Sequence, residues 1–154
     1  MWREITKIED MEKFALLRND FGCSVNYTAD KLKHNIENKI DCKYFIYETD
    51  KFKILLGFKY HQTHKMLTLM TFTFIVSNIN DYLKIFDITA KKMKEVMEEK
   101  NLNLINEYGW EELQATNLGI GQLGYWKFLT LFKERAEKIG LIVNFDEYKF
   151  EVRL

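Results

Sequence analysis

Three side chains in the second half of the chain could carry acid–base chemistry. Glu107 and Tyr108 are adjacent, and Tyr125 follows a glycine-rich stretch. A carboxylate can take a proton from an amine through a water molecule, and a phenol can return a proton to a leaving group. Glu107 is therefore a candidate base, and Tyr108 or Tyr125 is a candidate acid. The alternative is that Glu107 and Tyr108 are exposed loop residues without a catalytic role.

Two further groupings suggest other chemistry. His61 and His64 are three residues apart, and two imidazoles could share a metal, but no cysteine or carboxylate nearby in sequence completes a ligand set. A polar hairpin turn accounts for them better, and we predict no metal site. Trp110, Tyr125 and Trp126 could stack on a nucleotide base, although packing at the edge of a core is the commoner use of such rings.

Residues 43–78 contain three apolar runs, which predict the strands that the rest of the fold is built around. The middle run alternates apolar and more polar residues, as a strand with one buried face does. Asp50 and Lys51 separate it from an aromatic, β-branched first run at residues 44–48. The third run, residues 67–76, is almost wholly apolar or threonine, which predicts a central strand covered on both faces.

Shorter strands and helices surround this centre. A first strand is predicted at residues 2–6, and two helices then begin near Thr6 and Thr28. After the three strands, one apolar seam predicts a long helix, with a break indicated at Ile88 and Thr89 because β-branched residues form helices less well. That seam consists of Leu83, Phe86, Ala90, Met93 and Met97.

The last part of the chain predicts a short strand, a final helix and a closing hairpin. The strand covers residues 102–105, the helix ends at Gly140, and the hairpin pairs residues 141–145 with residues 148–154. The order is β-α-α-β-β-β-α-β-α-β-β. We therefore expect an α/β (α+β) fold with a mixed, mostly antiparallel sheet and helices on both of its faces.

Composition limits the classes of function. The 154 residues suffice for one domain, and with 23 basic and 23 acidic residues the net charge is zero. No strong basic field exists to attract nucleic acid or a membrane surface. Cys23 and Cys42 are two thiols in a chain without a recognisable signal peptide, which favours a reduced, cytoplasmic setting. The excess of lysine over arginine and the absence of proline suggest an AT-rich genome, such as that of a low-GC bacterium or its phage.

Four stretches spread over nearly the whole chain carry a resemblance to a known family. They are IEDM at residues 8–11, YETDKFKILLGF at 47–58, AEKIGLIV at 136–143 and EYKFEVRL at 147–154. In that order, they resemble the first helix, the second-to-third strand hairpin, the "Y-e-k-l-G-F" helix ending and the last strand of the GCN5-related N-acetyltransferase (GNAT) fold. The order of the predicted elements resembles that fold too.

The resemblance implies transfer of an acetyl group from acetyl-CoA to an amine on a small molecule or a protein. In this family the fourth and fifth strands splay apart, and the pantetheine arm bonds backbone groups of the fourth. In this chain the resemblance implies two groups of cofactor-binding residues. The pantetheine arm would bond the end of the fourth strand, and the pyrophosphate would lie over the loop that follows: Phe74, Ile75 and Val76, then Ser77, Asn78 and Asn80.

Two positions depart from the family pattern. Its pyrophosphate loop reads Q/R-x-x-G-x-G/A, whereas this chain has VSNIND at residues 76–81, without glycine and with Asp81 placed to repel a phosphate. Ala136 stands where the family has a general-acid tyrosine. In a competing register TNLGIG, at residues 116–121, would be the phosphate loop, although a glycine-rich connection explains this stretch better.

These observations leave two hypotheses for function. The chain is either a divergent acyl-CoA-dependent N-acyltransferase or a catalytically inactive GNAT-fold binding or regulatory protein, which could be phage-encoded. The loop after the fourth strand distinguishes them: amides directed into an open cleft favour the enzyme, and a refilled cleft favours the binding protein.

Overall fold

The computed structural model describes residues 1–10, 12, 33–38, 41–61, 63, 65–106, 125–146 and 149–154. Short helical segments lie at residues 8–10, at residue 12 and at residues 33–37. A 3₁₀ turn at Ile79–Asp81 precedes the first long helix. The strands and long helices are β1 Trp2–Glu4, β2 Cys42–Glu48, β3 Phe52–His61, β4 Met66–Val76, α1 Tyr82–Lys100, β5 Leu104–Asn106, α2 Tyr125–Glu137, β6 Ile142–Phe145 and β7 Phe150–Arg153.

The strands form one sheet in the order β1-β2-β3-β4-β5-β7-β6. β4 and β5 pair in parallel, and the other neighbours are antiparallel. The expected mixed and mostly antiparallel α+β sheet is therefore confirmed. The expectation of a central strand at residues 67–76 is also confirmed. Of the seven strands described, β4 is the fourth, and it pairs with β3 along its length and with β5 at Leu67 and Thr68.

The reversal between β2 and β3 lies where Asp50 and Lys51 predict it. The Thr49 hydroxyl oxygen accepts hydrogen bonds from the backbone amides of Lys51 (3.1 Å) and Phe52 (3.0 Å). A threonine side chain that satisfies the amides of a tight turn stabilises the turn without help from the rest of the fold. This turn sets the register in which Glu48 faces Lys53 and Ile46 faces Leu55.

A β-bulge divides β4. Gly57 of β3 faces Thr71, but the next residue, Phe58, faces Leu69, so Met70 is an extra residue on β4. Side chains alternate between the two faces of a strand, and one extra residue reverses which positions face the core. The bulge is why Leu67 and Leu69 before it, and Phe72 and Phe74 after it, all belong to the same core.

The main core lies between the sheet and the two long helices. The rings of Phe72, Phe74, Phe86, Phe128 and Phe132 are almost completely buried. Neighbouring rings have centroids 5.1 Å apart for Phe86 and Phe128 and 5.7 Å apart for Phe72 and Phe128. At such distances aromatic pairs add to the free energy gained by burying apolar surface.

A smaller core covers the opposite side of the sheet, called here the second face. Ile5, Tyr44, Ile46 and Leu55 are buried there, and Ile36 from helical residues 33–37 packs against them. The amide nitrogen of Asn35 donates to the Tyr44 hydroxyl at 2.7 Å, and burial raises the pKa of that phenol. Helical residues therefore cover both faces of the sheet, as the sequence predicts.

The long helix α1 corrects two details of the sequence analysis. The break expected at Ile88 and Thr89 is absent, because α1 continues from Tyr82 to Lys100. A β-branched residue costs only a few tenths of a kcal/mol in a helix, much less than is gained where Phe86 and Met93 on either side of Thr89 are fully buried. The seam also differs: Leu83 is 41% exposed, whereas Tyr82 and Ile85 are buried.

The end of α2 agrees with expectation. Gly140 has a positive φ of 90°, the left-handed conformation in which glycine commonly ends a helix. The Lys94 ammonium of α1 donates to the Ile139 carbonyl at 2.7 Å, close to this glycine. None of the helices within the described residues is both long enough and apolar enough to cross a membrane.

Candidate functional site at the open edge of β4

The two halves of β4 differ in their pairing with β5. Leu67 faces Leu104 and Thr68 faces Ile105, and the Leu67 amide donates to the Asn103 carbonyl at 3.3 Å. β4 then continues through residues 69–76, and in the described part of the chain that half pairs only with β3. The edge of residues 69–76 that faces away from β3 is called here the open edge. A strand edge presents a row of backbone N–H and C=O groups that another extended molecule can pair with.

The turn that follows β4 satisfies most of its own amides. The Asn78 side-chain oxygen accepts from the Asn80 amide at 3.0 Å, and the Asn78 carbonyl accepts from the Asp81 amide at 3.0 Å. The Tyr82 amide donates to the Ile79 carbonyl. Three of the four amides at residues 79–82 are thus bonded within the turn, which leaves few to cradle a phosphate.

Both long helices begin near the carboxyl end of β4. The Phe74 ring lies 5.5 Å from the ring of Tyr82, in the first turn of α1, and 5.8 Å from that of Phe128, in the first turn of α2. Further on, Asp87 of α1 accepts two hydrogen bonds from Arg135 of α2, at 2.7 and 2.6 Å. The helices therefore run in the same direction, and their positive N-terminal ends lie at the same end of the sheet.

Two lysines at this end of the molecule were missed by the sequence analysis. Lys84 and Lys127 are exposed in the first turns of α1 and α2. In sequence each belongs to an ordinary charged helix surface, and only the arrangement of the two helices shows that they begin together. Their charges oppose that of Asp81, which is the acidic residue in the turn before α1.

The predicted cofactor residues divide into two groups. Phe74 and Val76 are buried in the main core, and Ile75 is buried on the second face of the sheet. Only their backbone groups could therefore contact a ligand. Ser77, Asn78 and Asn80 are exposed; the Asn78 side chain and the Asn80 amide bond each other.

The predicted catalytic residues are not brought together in the described structure. Glu107 and Tyr108 lie outside the described residues, as do residues 116–121 of the competing phosphate loop. Tyr125 is the first residue of α2, and its side chain is outside the description. Ala136 is completely buried in the main core, so its position supplies neither a proton donor nor space at a cleft.

The remaining candidates have structural partners or lie outside the description. The His61 imidazole Nε2 is 2.9 Å from the Thr68 hydroxyl, while His64 and Cys23 lie outside the described residues. Trp126 is exposed, with its ring 5.7 Å from that of Phe145. Across the described residues, no three His, Cys, Asp or Glu side chains are grouped so that they could hold a metal ion.

The site suits one part of acetyl-CoA better than the other. The open edge fits an extended arm that carries amides, because backbone pairing requires no particular side chain. The turn at residues 77–81 fits a diphosphate poorly, since its amides are largely bonded and Asp81 is negative. No family model matches the chain, and no match was found among curated proteins or solved structures.

Proposed function

We propose that the chain is a divergent GNAT-like N-acyltransferase, which transfers an acyl group from acetyl-CoA to an amine. The observation that carries the proposal is the open edge of β4, which continues to Val76 after its last described pairing with β5 at Thr68. The mixed sheet, in which β4 and β5 pair only at Leu67 and Thr68 among the described residues, also supports the proposal.

The pantetheine arm would bind along this edge as an added strand. Its amides would pair with backbone groups of Phe74, Ile75 and Val76, while their side chains stay buried. Rigid strands hold such groups in fixed directions, so little conformational entropy is lost on binding. Phe72 and Phe74, which are buried in the main core, anchor this half of β4.

The nucleotide end would be held less tightly. The two helix N-termini and the ammonium groups of Lys84 and Lys127 favour an anion, whereas Asp81 and the bonded amides of the turn oppose one. We therefore expect weak binding of acetyl-CoA, with most of the affinity supplied by the arm.

Acetyl-CoA would supply the activated acyl group as a thioester. The proposal keeps Glu107 as the base that takes a proton from the amine through water, and Tyr108 or Tyr125 as the acid that protonates the leaving thiolate. Ala136 takes no part, because it is enclosed in the core.

One observation favours the second candidate, a catalytically inactive binding or regulatory protein on the same scaffold. Asn78 occupies the Asn80 amide, an amide that a phosphate-binding loop would direct toward the ligand. On this account the loop has been refilled, and the open edge serves a partner other than acetyl-CoA.

Melting and calorimetry with acetyl-CoA distinguish the two candidates. A ligand at a hundredfold above its dissociation constant stabilises the folded state by about 2.7 kcal/mol, which gives a readily measured rise in melting temperature. S-acetylpantetheine, which lacks the nucleotide, should retain a large part of this effect. If millimolar acetyl-CoA produces no shift and calorimetry detects no heat, the acyltransferase proposal is wrong and the binding protein is the better account.

A further inference from the structure

Three charged side chains form a cluster on the second face of the sheet: Glu151 and Arg153 of β7, and Lys149 just before it. Phe150 and Val152 belong to the main core, so Lys149, Glu151 and Arg153 point to the opposite side. The Glu151 carboxylate accepts from the Lys149 ammonium at 2.9 Å and from Nε of Arg153. Its side chain is 7% exposed, against 49% for Lys149 and 55% for Arg153.

The cluster lies level with the last described pair between β4 and β5, because Glu151 faces Ile105 and Ile105 faces Thr68. β7 pairs with β5, and Phe150 faces Asn106, the last residue of β5. Lys149 comes just before Phe150 and therefore lies at the carboxyl end of β5. β4 and β5 are parallel, so the open half of β4 lies toward this same end. On the other side of β7, the exposed Asn144 of β6 faces Glu151.

The charges in the cluster do not cancel. One cation would suffice to neutralise a buried carboxylate, and the second brings the three side chains to +1. The exposed Asp146 carboxylate, which accepts from the Lys149 backbone amide at 2.8 Å, lies next to them. Glu151 engages Arg153 through Nε, so the two terminal nitrogens of the guanidinium keep donors for another acceptor, and the ammonium of Lys149 has three donors in all. Because the carboxylate already positions both side chains, less of their conformational entropy remains to be lost when an anion binds.

We propose that Lys149 and Arg153, held by Glu151, bind the carboxylate of an acceptor that carries both an amine and a carboxylate, such as an amino acid. This proposal rests on the acyltransferase function, since it places the acceptor on the second face, at the end of β5 toward which the open half of β4 lies. A guanidinium matches the planar geometry of a carboxylate, and the amine would extend toward the end of β5.

Binding is tested with N-acetylglycine, a carboxylate that has no amine to acylate, and with N-acetylglycinamide as its neutral counterpart. We expect N-acetylglycine alone to shift the Arg153 Nε–H resonance saturably in NMR spectra. The affinity should fall roughly tenfold in Lys149→Met and stay unchanged in Lys43→Met, which removes an exposed lysine on β2. An unshifted Arg153 resonance in the wild-type protein would overturn the proposal whether or not acetyl-CoA binds.

Kinetics test the role in selecting the acceptor. For each amino acid, the matched substrate is the amine that lacks its carboxylate. The wild-type kcat/KM should be about tenfold higher for the amino acid than for this amine, and Lys149→Met should bring the ratio of the two values close to one. The melting shift with acetyl-CoA should be the same in both proteins. A ratio that the substitution leaves unchanged would contradict the proposal. If N-acetylglycine binds but acetyl-CoA does not, the proposed acyltransferase function is wrong, and the site cannot serve an acyl acceptor.

Discussion

Both halves of β4 place buried side chains in the main core, but they pair their backbones differently. Leu67 and Leu69 precede the bulge at Met70, Phe72 and Phe74 follow it, and all four lie in the main core. Among the described residues, however, β5 pairs only with Leu67 and Thr68. The comparison separates packing from strand pairing: in the described structure, buried side chains anchor residues of β4 that have a paired strand on one side only.

Deletion of Met70 should have the largest effect. Removing the extra residue would turn Phe72 and Phe74 away from the core or force β3 and β4 into a new register. We expect loss of the cooperative thermal transition in circular dichroism. Met70→Ala keeps the number of residues and should keep the transition. A deletion variant that melts within a few degrees of the wild type would show that the bulge does not set the faces of β4.

Alanine substitutions compare the packing of the two halves directly. Phe74→Ala in the open half should lower the free energy of unfolding by about 3–5 kcal/mol, and Leu67→Ala, in the half beside β5, by about 2–5 kcal/mol. Both residues are almost completely buried. Urea denaturation measures the two values. A loss below about 1 kcal/mol for Phe74 would mean that side-chain packing does not hold the open half.

Acid should weaken the charged cluster around Glu151. Hydrogen bonds from Lys149 and from Arg153 lower the pKa of the Glu151 carboxyl below its ordinary value of 4.5. A carboxyl whose folded pKa is depressed adds stability above its unfolded pKa, and this stability is lost as the pH falls through the folded value. Glu151→Gln should therefore lower stability by about 1 kcal/mol at pH 7.

The pH dependence provides the control for that substitution. The difference between Glu151→Gln and the wild type should shrink steadily once the pH falls below about 4.5. Urea denaturation at pH 7 and pH 3 measures both ends of this range. A difference that is constant over the range would show that the carboxylate charge does not stabilise the fold.

Asn78 should affect ligand binding more clearly than stability. Asn78→Ala removes the side-chain bond to the Asn80 amide and should cost about 1 kcal/mol of stability, as the loss of a helix cap does. If the freed amide can face a phosphate, affinity for acetyl-CoA should rise several-fold in calorimetry. S-acetylpantetheine, which lacks the phosphates, should bind both proteins with equal affinity. If Asn78→Ala raised the affinity for both ligands, the freed amide would not be acting on the phosphates.

The sequence predicts the strands better than it predicts their irregularity. β2 and β3 follow from alternation and from the turn around Asp50, because one face of each strand has to be apolar. The third run is apolar or threonine at both odd and even positions, so no period of two remains to reveal the extra residue at Met70. The helix α1 also continues through Ile88, because burial outweighs the small helix propensities that suggested a break.

The candidate site was predictable only in part, for a related reason. A site made of backbone groups leaves no pattern in side chains, and the residues Phe74, Ile75 and Val76 were selected through the family resemblance. The sequence KFEVR around Glu151 reads as an ordinary alternating strand. Only the distances to Lys149 and Arg153 show that its charged residues converge.

Amide hydrogen exchange along β4, with and without acetyl-CoA, tests the central claim most directly. In the free protein, the amides of residues 69–76 that point to the open edge should exchange faster than those of Leu67 and Thr68, which lie beside β5. Acetyl-CoA should slow exchange at the open edge and leave the amides directed at β3 unchanged. Uniformly slow exchange along β4 in the free protein, or exchange at residues 69–76 that millimolar acetyl-CoA leaves unaltered, would contradict the account.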